Sequence, residues 1–102
     1  MLNLVTSEHF RPLLAGSSTL YLPDGSALPI QIERVRETPQ ATLPHNPRGA
    51  FSVLFSSLGP TDFVDDLCCL PLPDVCLEQV FVSREPAMGR NAERGYFCIV
   101  FN

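Results

Sequence analysis

The segment that most constrains this chain is its last apolar run, Gly95-Tyr96-Phe97-Cys98-Ile99-Val100-Phe101. It is far too short to cross a bilayer, which takes roughly 20 apolar residues. With a period of two, Phe97, Ile99 and Phe101 fall on one side and Tyr96, Cys98 and Val100 on the other. A strand that is apolar on both sides is usually covered on both. The expectation is therefore a central strand of a barrel or two-layer structure, buried on both faces. The alternative is that one face makes an intermolecular contact.

Other segments repeat the period of two. Thr19–Leu22 reads as a short strand, Pro23-Asp24-Gly25 as a turn, and Leu28–Glu33 as the returning strand with Leu28, Ile30 and Ile32 on one face. Pro29 lacks an N–H, so it belongs at an edge or near a strand start. At Arg34-Val35-Arg36 the alternation slips by one, which a bulge would explain. Ala50–Leu58 is a strand with Phe51, Val53 and Phe55 facing one way. Cys76–Glu85 is another. Thr61–Pro73 lacks alternation and closes on Pro71 and Pro73, so it reads as an irregular connection with a short extended piece. Thr38–Gly49, with three prolines, His45 and Arg48, reads as a long loop.

Ahead of the strands, Thr6–Gly16 has helical spacing: Phe10, Leu13 and Leu14 lie at i, i+3 and i+4. Thr6 or Ser7 can cap it, Pro12 limits it to about two turns, and Gly16 can end it. The chain of 102 residues is one domain's worth, residues 1–102, and hides about two thirds of its unfolded surface. The fold class expected is mainly β: a small antiparallel barrel or β-sandwich of five or six strands with one short N-terminal helix.

Charge excludes some functions. The net charge is −4, and the seven basic residues, all arginine, are scattered along the chain. Nucleic-acid binding rests on a basic surplus, so no such partner is expected. The opening Met1-Leu2-Asn3-Leu4 lacks a basic segment and a long apolar core, so no signal peptide is read, and neither is a membrane insertion. The expected location is cytoplasmic, where Cys68, Cys69, Cys76 and Cys98 stay reduced and pack as small hydrophobes.

Each familiar chemistry lacks a required spacing. Zinc sites favour Cys-x(2–4)-Cys pairs; Cys68-Cys69 is too tight and Cys69 to Cys76 too wide. No metal and no cofactor is expected. A nucleophilic cysteine needs a lowered pKa; Cys98 lies in an apolar strand, and Cys68 and Cys69 follow two aspartates. Asp62, Asp65 and Asp66 crowd one solvated loop without EF-hand spacing. There is no G-x-G-x-x-G, Walker A or G-x-S-x-G. No catalytic residue is assigned. The candidate interaction surface is Asp65, Asp66, Leu67, Leu70 and Leu72, since an apolar patch rimmed by charge often marks a contact. The competing reading has Leu67, Leu70 and Leu72 plugging one end of a barrel.

Two ends of the chain carry a resemblance. Leu4, Glu8-His9-Phe10 and Pro12-Leu13-Leu14 at the start, the strand Phe51-Ser52-Val53-Leu54-Phe55 and the terminal Val100-Phe101-Asn102 resemble an uncharacterised family of small bacterial proteins of about 100 residues. Some members look to be encoded near phage-tail-collar-like proteins. Where that family has a glycine- and proline-bearing turn, this chain has Asp65-Asp66-Leu67-Cys68-Cys69-Leu70-Pro71. The resemblance implies an accessory or assembly role and supplies no catalytic residues. The functional expectation is a non-enzymatic assembly or protein-interaction module, with a protein partner or self-association. A small ligand-binding or enzymatic β-barrel, with a polar pocket at His45 or Cys69, is the alternative.

Overall fold

The computed structural model describes residues 5–38, 49–73 and 75–101. Six antiparallel strands close into a barrel in the order β1-β2-β3-β6-β5-β4. They are β1 (Ser17–Tyr21), β2 (Ala27–Glu37), β3 (Phe51–Ser57), β4 (Asp66–Pro71), β5 (Cys76–Glu85) and β6 (Tyr96–Phe101). Closure removes the open edges that an unclosed sheet would present.

The hairpin β1–β2 forms as its alternation predicts, with Thr19 opposite Pro29 and Tyr21 opposite Ala27. Gly25 takes φ 88° in the turn, a conformation that suits glycine. Pro29 lies just past the end of β3, whose ladder on β2 runs only as far as Ser57 opposite Ile30. Its carbonyl accepts from Leu58 N–H at 3.0 Å, so the proline sits where the β2–β3 ladder runs out. The predicted slip is present: the register of β2 on β3 shifts between Ile32 and Arg34.

The N-terminal segment is helical and short, as expected, and takes the form of two successive 3-10 turns, Ser7–His9 and Arg11–Leu13. Pro12 in the second turn cannot donate, and Phe10 between the two turns must reach the core. The segment then pairs by backbone with β2, where Ala15 N–H donates to Ile32 O at 2.9 Å.

The lumen is filled by side chains. Phe10, Phe51, Phe55, Phe97, Leu20, Ile30, Ile32, Leu70, Leu77 and Ile99 are fully buried. Each such side chain is worth roughly 1.5–3 kcal/mol of burial. At one end Phe10, Phe51 and Phe101 form a ring cluster; Phe51 and Phe101 stack at 4.6 Å. At the other end Phe63 packs on Phe97 at 5.6 Å. Arg84 pins that end by donating from Nη1 to Thr61 O and Phe63 O at 2.8 and 2.7 Å.

The segment before Pro73 departs from expectation in part. The short extended piece expected there is a full barrel strand, Asp66–Pro71, paired to β5 from Asp66 opposite Val82 to Pro71 opposite Cys76 with one register shift between Cys68 and Leu70. Its outward residues Leu67 and Cys69 are apolar, so no polar alternation marks it in sequence. No helix of the described residues is long and apolar enough to cross a membrane.

Candidate functional site

The outer face of β6 changes along its length. Tyr96 is buried, with the Arg90 guanidinium over its ring, 4.0 Å from the centroid. Arg90 is held there by donating to Ala87 O at 2.7 Å and Pro86 O at 3.0 Å. Cys98 is half-buried, and Val100 is 62% exposed. The expectation of cover on both faces thus holds at Tyr96 and fails at Val100. The reason is that the loop after β5 folds back only over the first part of β6.

Beside Val100 lie two more uncovered apolar side chains. Phe81 on β5 is 55% exposed, and Leu67 on β4, directly opposite it in register, is 48% exposed. Leu67, Phe81, Ser83, Cys98 and Val100 line one shallow groove on the outer wall. The ladder between β5 and β6 runs from Ser83 opposite Cys98 to Glu85 opposite Tyr96. The groove opens where Phe81 and Val100 continue beyond that ladder.

Charge differs on the two flanks. Past Cys98, Arg34 and Arg36 line a depression with Ser52, Leu54 and Glu85. Past Leu67, Glu78 lines a depression with Tyr21, Cys69 and Gln79, and the exposed Asp66 is the next residue on β4. Arg34 and Arg36, accompanied by Glu85, therefore border one side of the groove, and Glu78 and Asp66 the other. Further round the wall, Arg94 joins Gln31, Glu33 and Ser56 in a polar strap; Ser56 Oγ donates to Glu33 Oε2 at 2.6 Å.

The predicted interaction residues divide. Asp65, Asp66 and Leu67 are exposed. Leu70 and Leu72 are buried in the core and belong to no surface, because β4 points every second side chain into the lumen. Leu70 and Leu72 are therefore core residues, and Leu67 is a surface residue. Phe81 and Val100 were missed as surface residues. Their signal was visible in the apolar positions of Cys76–Glu85 and Gly95–Phe101 that alternation assigns to the face opposite the core.

All four cysteines are free thiols. Cys68 points inward; burial first, then the charges of Asp66 and Cys69, push its thiol up to about 11. Burial also raises Cys98, with Glu85 adding to it. Cys69 is raised by burial and then by its contact with Cys76. The sulfurs of Cys69 and Cys76 lie 3.5 Å apart on the outer wall, a juxtaposition that their spacing in sequence conceals.

Among the described residues no three of His, Cys, Asp and Glu converge to hold a metal ion. His9 Nδ1 accepts from Thr6 N–H at 3.0 Å and serves the first turn. His45 and Arg48 lie outside the described residues. Comparison with known proteins finds no matching family model, no matching curated protein and no matching solved structure.

Proposed function

We propose that the protein is a non-enzymatic assembly module that acts by protein–protein contact through the outer wall of β4, β5 and β6. The observation that carries this reading is the exposure, side by side, of Leu67, Phe81 and Val100 on three neighbouring strands. Contiguous exposed apolar side chains mark contact sites, whereas scattered ones need no explanation. The packed lumen supports the same reading, because a barrel filled by its own phenylalanines leaves the outer wall as the place for recognition.

The occupant that the charges favour is a second copy of the chain. A two-fold axis through the groove would set Arg34 and Arg36 of one copy against Glu78 and Asp66 of the other. The apolar groove would then be the core of the interface and the charges its rim. The resemblance at the two ends of the chain favours a phage-tail-like system as the setting for such an assembly.

Size exclusion with light scattering across a concentration series tests this. The wild type is expected to show dimer that dissociates on dilution. Phe81→Asp is expected to be monomeric with an unchanged far-UV circular dichroism spectrum. A wild type that stays monomeric throughout the series, or a Phe81→Asp variant that dimerises as well as the wild type, overturns the reading.

A further inference from the structure

We propose that Cys69 and Cys76 form a surface dithiol that a small-molecule disulfide such as oxidised glutathione converts into an intrachain disulfide, which makes the β4–β5 hairpin a thiol-oxidation site. The inference is independent of the contact face. Cys69 lies on the outer side of β4 and Cys76 at the start of β5, and their sulfurs are already in contact at 3.5 Å. Bond formation needs a further approach of the two sulfurs to about 2.05 Å.

The contact is built by an irregularity in the hairpin. The β4–β5 register shifts between Cys68 and Leu70, and Gln79 takes φ 54° there. A non-glycine residue in that conformation is strained and marks a locally constrained site. The extra residue on β5 lets Cys76, whose register partner is Pro71, lie diagonally against Cys69. Competing pairs are removed by position. Cys68 is buried on the inward side, and Cys98 lies on β6, separated from β4 by β5, with its thiol against Glu85.

Position gives the bond a consequence. Tyr21 opposite Cys69 is the one residue pair joining β1 to β4 in the ladder of the described residues. The barrel is thus closed at the residue whose thiol would be oxidised. A bridge would tie that closing residue to β5 and stiffen the seam.

The chemistry balances without a metal. Cys76, the exposed thiol, loses its proton and attacks one sulfur of the glutathione disulfide. The S–S bond breaks, one glutathione thiolate leaves, and Cys76 carries a mixed disulfide. Cys69 then loses its proton and attacks the Cys76 sulfur, expelling the second glutathione thiolate. Two cysteine thiols are oxidised, one glutathione disulfide is reduced to two thiols, and the two protons pass to the departing thiolates. The raised thiol of Cys69 makes the second step speed up with pH.

The test uses the Cys68→Ser/Cys98→Ser variant of the full chain, incubated with oxidised glutathione and followed by intact mass. The expected product has lost two hydrogens, carries no glutathione, runs as a single chain on a non-reducing gel, and melts several degrees higher than the reduced form. Adding Cys69→Ser is expected to stop the reaction at a glutathione adduct on Cys76. A stable adduct with both cysteines present, or a covalent dimer, overturns the proposal. If the double variant does not fold, alkylation of oxidised wild type under denaturing conditions decides. Protection of Cys69 and Cys76 with labelling of Cys68 and Cys98 supports the proposal, and any other pattern overturns it.

Discussion

Replacing Phe10 with alanine asks whether the N-terminal turns are part of the fold or an appendage to it. The turns lie outside the barrel's ladders, yet Phe10 is fully buried against Phe51 and Phe101, with ring centroids at 6.1 and 5.7 Å. Truncating a buried phenylalanine costs about 3–5 kcal/mol, part lost transfer energy and part unfilled cavity. A chain of this length has about 5–15 kcal/mol of stability in all. Phe10→Ala should therefore remove at least about a fifth of it. Phe10→Leu keeps most of the plug and should lose about 1–2 kcal/mol. Arg11 is the control on the same segment: it bridges Glu8 and Glu37 at 3.3 Å each, at the surface. Its alanine variant should lose less than about 1 kcal/mol. Urea unfolding followed by far-UV circular dichroism measures all three, with an unchanged m-value certifying that native and unfolded states stay comparable. A Phe10→Ala loss below about 1 kcal/mol, or an Arg11→Ala loss of equal size, would refute the claim that the N-terminal turns are part of the fold through the Phe10 ring.

Two further predictions follow from the same geometry. Burial raises Cys68, so its neutral thiol is the form the folded barrel prefers. Its contribution is complete below the unfolded value of 9.0 and is lost as pH rises from there toward about 11, because the unfolded chain ionises first. Stability against pH should therefore fall more steeply for wild type than for Cys68→Ala over that window; parallel curves would contradict the assigned cause. Arg90→Ala should expose Tyr96, lower stability by about 0.5–1 kcal/mol and weaken the near-UV tyrosine signal. A variant with an unchanged near-UV spectrum would show that Arg90 does not cover the ring.

Most elements that could be read from the chain were those whose environment differs on two sides. Cys76–Glu85 was legible with the bounds it has, and β3 within one residue at each end, because lumen and outer wall impose different polarities on alternate positions; β6, apolar on both sides, was legible within one residue from its unbroken apolar run. The bulge in β2 was visible for the same reason, since an inserted residue breaks the alternation. Asp66–Pro71 was not visible as a strand. Its outward Leu67 and Cys69 are as apolar as its inward Cys68 and Leu70, so period two left no trace.

By itself the sequence determined that this chain would be a small β structure with a short N-terminal helical segment and an unusually apolar final strand. Local alternation and turn chemistry act over a few residues and need no knowledge of the rest. Tertiary structure decided which side of that final strand stays open. That depends on how far the loop carrying Arg90 folds back, and covering Tyr96 leaves Val100 bare. It also decided that Cys69 meets Cys76, because the contact comes from the register of two strands and not from spacing along one. The doubly apolar strand therefore has one face in the core and one on a wall where Leu67 and Phe81 join it. No single segment encodes that wall, because its three side chains come from three strands that only barrel closure makes neighbours.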